Sequence, residues 1–204
     1  MDRKGLLLVL SGPSGAGKGT ICDKFMQNNK DVLLSVSSTT RKPREGEIAG
    51  VSYNYITKEE FETQLKNDGF LEHVHVFENY YGTPRQSVMD NIEQGTDVLL
   101  EIEIVGAMQI KKRFPEAVLI FVLPPSIEEL ESRIHKRGTE TQSQIKLRLE
   151  RALKEMKEIN EYSYFIINKD VDESADYMKC IIKAEKSSVR RYSEELLDFY
   201  KEEK

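Results

Sequence analysis

The chain has 204 residues, 30 lysines and arginines against 35 aspartates and glutamates, and a formal net charge of -5. That length suits one α/β domain with insertions, and the acidic balance argues against a nonspecific nucleic-acid binder, which is normally basic over one face. Cys22 and Cys180 stand far apart in no metal or redox spacing, so two reduced thiols are expected. No apolar run is long enough for a signal segment or a membrane span, so a cytoplasmic protein with no membrane or nucleic-acid partner is expected.

Leu6–Leu10 is a short continuous apolar run, the pattern of a buried parallel strand. A glycine-rich turn follows, then a helical stretch from Thr20 to Asn28 and a second strand over Val32–Val36. Ser37 to Gly50 is polar and basic without an apolar period. Thr57 and Glu60 form a capping box that starts a helix running to Asp68, and Gly69 ends it. Leu71–Phe77 reads as a strand and Pro84–Gln94 as a helix stopped by Gly95. Val98–Ile104 is strand-like, Gly106–Phe114 helical, and Ala117–Leu123 an apolar strand broken by Pro124-Pro125. Ser126 with Glu129 caps the next helix. A long charged helix is predicted over Gln142–Asn160, a short strand over Tyr164–Asn168, and mostly helix from Glu173 to Tyr200. Strands alternating with helices imply a parallel sheet with helices on both faces. The alternation fails over 37–85 and 126–153, the kind of insertion that builds substrate-binding segments and lids.

Gly12, Gly17 and Lys18 satisfy G-x-x-x-x-G-K within Gly12-Pro13-Ser14-Gly15-Ala16-Gly17-Lys18-Gly19-Thr20, between the first strand and the first helix. Such a loop curls its N–H groups around a phosphate, the helix adds its positive N-terminus, and the lysine reaches between the β- and γ-phosphates. The usual Ser or Thr after the lysine is replaced by Gly19, which moves the hydroxyl expected near a magnesium ion to Thr20. Ser35–Glu47 is dense in hydroxyls and guanidiniums; Arg41 and Arg44 stand either side of Pro43, and arginine forks match phosphate oxygens in pairs. Tyr53 and Tyr80-Tyr81 supply phenols that could finish an anion clamp or line a base pocket. His73, His75 and His135 are expected in ordinary structural positions, since no further metal ligand can be placed beside them.

Taken together, GPSGAGKGT at Gly12–Thr20, SSTTRKPREGE at Ser37–Glu47, NYYGT at Asn79–Thr83, LEIE at Leu100–Glu103, PPS at Pro124–Ser126 and RGTET at Arg137–Thr141 resemble the guanylate kinase family from Leu6 to about Lys186. The resemblance implies a P-loop NTPase-type α/β fold: a parallel sheet core (1–36, 86–125 and 154–204), a GMP-binding insertion (37–85) and a helical lid (126–153). It implies magnesium-assisted in-line transfer of the γ-phosphoryl group of ATP to GMP, with dGMP as a second acceptor. Ser37, Glu72 and Thr83 fall where the family binds the guanine edge, with Glu103 near the base. Arg41, Arg44, Tyr53 and Tyr81 fall on the GMP phosphate. Glu101 and Thr20 fall near the magnesium shell. Lys18 with Arg133, Arg137 and Arg148 would meet the transferring phosphoryl group, and Asn168 would lie near the adenine of ATP. Val105, where glutamine is usual, and Glu78, where glycine is usual, depart from the pattern. Another mononucleotide kinase and a non-catalytic, protein-binding domain of guanylate kinase type are the competing readings.

Overall fold

The computed structural model describes residues 4–76, 78–136 and 142–202. Phe77 and the Arg137–Thr141 stretch, and with it the expected role of Arg137, lie outside the described residues.

The apolar run near the N-terminus forms β1 (Leu7–Ser11), buried throughout. It pairs in parallel with β7 (Asp97–Glu101) on one side and β8 (Val118–Leu123) on the other. β2 (Val32–Leu34) extends the sheet beyond β7 and β9 (Tyr164–Ile167) beyond β8, giving the all-parallel order β2-β7-β1-β8-β9. The alternation of strand side chains decides what covers each face. Leu8 and Leu10 join Ile21, Cys22 and Phe25 of α1 (Lys18–Asn28) and Met178 and Ile182 of α7 (Val171–Glu185). Leu7 and Val9 join Val88 and Ile92 of α3 (Arg85–Glu93) and Ala107 and Ile110 of α4 (Ile104–Arg113). Each fully buried Leu, Ile or Phe contributes about 1.5–3 kcal/mol, so these two layers hold the sheet in place from both faces.

The insertion after β2 has a sheet of its own. β3 (Ser38–Thr39), β4 (Asn54–Tyr55), β5 (Phe70–Val76) and β6 (Asn79–Pro84) line up as β4-β3-β6-β5. Phe61 of α2 (Lys58–Lys66) stacks on Phe70 at 4.4 Å and on Tyr80 at 5.3 Å, which gives this sheet a small aromatic core. The Thr57–Glu60 capping box at the head of α2 is present as expected. A third cluster, Leu130, Ile134, Ile145 and Ala152, joins α5 (Ile127–Lys136) to α6 (Gln142–Glu155).

Several boundaries differ from the sequence reading. The polar Ser37–Gly50 stretch contains β3, a two-residue strand held by neighbours distant in sequence, which no local period can signal. β7 stops at Glu101, and α4 begins early enough to take Gly106 into its first turn. The charged helix tightens into a 3₁₀ segment at Met156–Glu161, and the C-terminal helix breaks into α7 and α8 (Val189–Glu202).

Candidate active site

The carboxyl ends of β1 and β7 lie side by side, with Leu10 paired to Glu101, at the edge of the sheet where α/β folds usually place ligands. After β1 the chain turns through Gly12 (φ 147°), Gly15 (φ 94°) and Gly17 (φ 95°) before α1 begins. Gly12 is obligatory on space alone: a Cβ there would sit 2.4 Å from the Val122 carbonyl oxygen. Gly17 is the left-handed N-cap of α1, so the loop delivers the helix N-terminus straight into the cradle. The Lys18 ammonium lies across the loop, donating to the carbonyls of Gly12 at 2.7 Å and Pro13 at 3.4 Å.

Three side chains hydrogen-bond to this loop. Asn168, 3% exposed at the end of β9, donates from Nδ2 to the Ala16 carbonyl at 2.9 Å and accepts from the Ser174 hydroxyl at 3.4 Å. The residue matched to the adenine position thus turns its amide toward the loop backbone. Arg133 of α5 donates to the carbonyls of Ala16 at 3.3 Å and Asn168 at 3.2 Å, while its Nε meets Glu129 at 2.8 Å. Arg148 of α6 donates to the Ser14 hydroxyl at 2.7 Å. Both α5 and α6 therefore already touch the phosphate loop.

Glu101 ends β7 beside the first turn of α1, with its Oε1 3.5 Å from where a Cβ on Gly19 would be. Its side chain is exposed at the strand end, but the protein packed around it still disfavours the charge and raises its pKa, while the Lys18 charge pulls the other way. Thr20 is exposed in that same turn. A lone carboxylate and a hydroxyl are hard oxygen donors and suit magnesium, which is held by one or two carboxylates plus substrate phosphates and water. Among the described residues, no group of three or more His, Cys, Asp or Glu could form a dedicated metal cage.

The second sheet brings the hydroxyl- and arginine-rich loop together with the tyrosines. Arg41 is held by Glu47 through two bonds, Nη1 to Oε2 at 3.0 Å and Nη2 to Oε1 at 2.8 Å. Glu47 also accepts from the Arg44 backbone N–H at 2.7 Å and the Tyr55 hydroxyl at 2.8 Å. These bonds, Arg41's above all, hold its carboxyl down at about 2, and the same partner raises the Arg41 pKa. The Arg41 guanidinium lies 5.4 Å from the Tyr53 ring, which packs edge-on against Tyr81 at 6.0 Å. Burial raises the Tyr53 pKa, and the nearby Glu101 charge adds to it. The Arg44 side chain stays exposed on the loop, and Ser37 is half-buried just before β3. The role of Glu47 was not legible in the sequence. It sits in the quoted motif, but only the turn at Gly46 (φ 83°) brings it back to Arg41.

Deeper in the insertion lies Glu72, a carboxylate only 3% exposed. It accepts from the Thr83 hydroxyl at 2.7 Å, and Thr83 is itself fully buried. Burial pushes the Glu72 pKa up to about 7, with the Thr83 hydroxyl and backbone N–H opposing the shift. Between the pairs Phe70–Pro84 and His73–Gly82 the register of β5 against β6 slips by one, so Leu71 and Glu72 together oppose Thr83. Such a bulge breaks the in–out alternation and re-aims a side chain; here Phe70, Leu71 and Glu72 are all buried in succession. The carboxylate lies against the first turn of α4, where a Cβ on Gly106 would sit 2.3 Å from Oε2. Glu103, the N-cap of α4, meets Arg151 of α6 at 3.4 Å. These residues offer a cradle for phosphates, a cationic and phenolic patch for an anion, and a buried carboxyl that accepts hydrogen bonds when ionised.

A family model described as Guanylate kinase matches residues 4–185. The chain is 53% identical over 201 residues to a guanylate kinase of Clostridioides difficile, covering 98% of each chain. It is 49% identical over 191 residues to a guanylate kinase of Caldanaerobacter subterraneus, covering 94% of this chain and 93% of that one. Among solved structures, the guanylate kinase from Anaplasma phagocytophilum superposes with a TM-score of 0.79 at 36% identity, covering 97% of this chain and 95% of its own. The chain belongs to the guanylate kinase family.

Proposed function

We propose that the chain transfers the γ-phosphoryl group of ATP to GMP, giving ADP and GDP. The observation that carries this is an intact phosphate loop with Lys18 after β1 together with a buried Glu72 carboxylate bonded to Thr83 and set against the first turn of α4. In this reading residues 37–85 are the acceptor-binding insertion and 126–153 the lid.

Phosphoryl transfer asks a protein mainly to align two anions and neutralise their charge. The loop N–H groups hold the donor phosphates, and Lys18 leaves its own loop carbonyls to bridge the β- and γ-oxygens. Bound magnesium supplies further charge neutralisation on those oxygens, and Thr20 and Glu101 would hold it, directly or through water. Arg41, Arg44, Tyr53 and Tyr81 take the GMP phosphate, whose anionic oxygen is the nucleophile, so no strong general base is required. An arriving phosphate competes with Glu47 for Arg41, which keeps the guanidinium oriented in the absence of substrate. Arg133 and Arg148, already against the loop, close over the transferring group, where water exclusion strengthens each charge.

Guanine presents N1–H and N2–H donors beside the O6 acceptor. An ionised Glu72 accepts both donors, with the Thr83 hydroxyl spending its one proton on orienting that carboxylate, while the Ser37 hydroxyl is available to O6 and Glu103 lies near the base. Adenine offers a lone pair at N1 instead, leaving a buried carboxylate unpaired, which is costly. dGMP carries the same base and the same phosphate, and this scheme takes it as a second acceptor. The test is the ratio of kcat/KM for GMP and AMP in wild type and Glu72→Gln. Sites of this type reject the wrong base by roughly 10⁴-fold, and the mutant ratio should collapse. A ratio within a few-fold of wild type would mean that Glu72 does not read the base.

A further inference from the structure

The β-bulge that aims Glu72 does not hold itself together. β5 is the edge strand of the small sheet, so the backbone groups on its open side need other partners, because buried N–H and C=O groups are almost always bonded. Those partners come from one face of α4. Gln109 makes a two-bond amide pair with His73: the His73 N–H donates to Oε1 at 3.1 Å, and Nε2 donates to the His73 carbonyl at 2.7 Å. One helical turn on, Arg113 donates from Nη1 to the carbonyls of Phe70 and Leu71, each at 3.0 Å. Its Nη2 also binds Asp68 at 2.8 Å, just before the strand. Gly106, Gln109 and Arg113 stand at i, i+3 and i+7, so they share one helix face. That face grips the strand on both sides of Glu72 and presents to its carboxylate the one residue with no side chain.

We propose that Gln109 and Arg113 are positioning residues for base selection: by clamping the bulge of β5 to α4, they fix where the Glu72 carboxylate meets the acceptor base. Neither side chain touches the base in this account. The effect is geometric, because β5 without the clamp is free to slip toward regular pairing, and a one-residue slip sends a side chain to the opposite face. The clamp also ties this edge of the insertion to the rigid sheet through α4, which carries Ala107 and Ile110 in the core. The base reader is therefore anchored to the core, while the phosphate-binding loop around Arg41 is carried on the far strands of the small sheet.

The inference rests on Glu72 reading the base, and the experiment separates the two. Inosine monophosphate lacks only the exocyclic N2 amine of GMP, so the GMP-over-IMP preference in kcat/KM reports how well a carboxylate meets that amine. A hydrogen bond to a charged group is worth roughly ten- to a hundredfold. Gln109→Leu removes both bonds at similar size, and Gln109→Glu keeps only the acceptor for the His73 N–H. Arg113→Lys keeps the charge but loses the fork that spans two carbonyls. Glu72→Gln is measured alongside.

For Gln109→Leu the expected result is a rise of about tenfold or more in KM for GMP, a matching fall in GMP-over-IMP preference, and a KM for ATP within about twofold of wild type. Gln109→Glu and Arg113→Lys should fall between. Should Gln109→Leu not fold, those two milder variants carry the same comparison. If the preference survives in the clamp variants but collapses in Glu72→Gln, the clamp is only a strut and the proposal is overturned. Equal losses for ATP and GMP with the preference intact overturn it too. If Glu72→Gln itself leaves the preference untouched, the base-reading assignment falls and takes the clamp's role with it.

Discussion

Replacing Glu72 by glutamine should stabilise the ligand-free protein, by an amount that depends on pH. The carboxyl titrates at about 7 in the fold against an ordinary 4.5, because burial opposes its charge. A difference of about 2.5 units at 1.36 kcal/mol each is roughly 3 kcal/mol. The sign follows from the raised pKa: the neutral carboxyl fits the fold, so full stability is present below about 4.5 and is lost as pH rises through about 7. Glu72→Gln removes the ionisation while keeping an oxygen for the Thr83 hydroxyl. At about pH 8.5 the variant should gain about 3 kcal/mol, and at about pH 5 less than about 1 kcal/mol. For a chain of this size that is a Tm gain of roughly 6–12 °C at the higher pH. Thermal unfolding of both proteins at the two pH values, without nucleotide, measures it. The companion observation is kinetic: kcat/KM for GMP in the wild type should rise with pH through about 7, a step absent from the variant, whereas ionisation of the GMP phosphate near 6 remains in both. A Tm difference that is the same at both pH values, or a variant less stable at high pH, would refute the reasoning. If Glu72 reads the base as proposed, the stability given up at this position is traded for function, as is common at functional sites.

Three further outcomes follow from the same geometry. Lys18→Ala should lower kcat by ~10³-fold or more, as loss of a charge-stabilising group does in phosphoryl transfer, and near-normal turnover in a folded mutant would remove Lys18 from the site. Gly106→Ala puts a methyl 2.3 Å from where Glu72 Oε2 now lies, so KM for GMP should rise at least about tenfold with KM for ATP unchanged, although alanine favours the helix by about 1 kcal/mol. Unaltered GMP kinetics would show that the carboxylate does not rest against α4. Binding of a bisubstrate analogue should slow hydrogen exchange in both 37–85 and 126–153; unchanged protection in both segments would count against closure of an insertion and a lid on a rigid sheet.

The core was legible because its signals are local. The Leu6–Leu10 run, the Thr57–Glu60 box and Gly95 each announce an element through their immediate neighbours, and those elements are present. The phosphate loop was legible for the same reason: its glycines are needed for backbone angles within a single turn. The small sheet was not, because β3 and β4 are two-residue strands whose partners lie far along the chain. Gln109 and Arg113 were equally hidden, since on a helix they read as ordinary polar positions until β5 is set beside them. Asn168 shows the limit of a motif match, which located a residue beside the nucleotide loop without saying that its amide is turned to Ala16. Glu72 was singled out by the resemblance, but its burial was not legible; only the bulge opposite Thr83 explains how a carboxylate is buried there.

The central claim is that one cleft joins an ATP-holding cradle to a site that accepts guanine and refuses other bases. The most direct measurement is ADP release by the purified protein with magnesium and ATP, offered GMP, AMP, CMP and UMP in turn. Rapid turnover with GMP is predicted, with kcat/KM for AMP lower by roughly 10⁴-fold and the two pyrimidine nucleotides no better. Comparable turnover with AMP, or none with GMP, would contradict it.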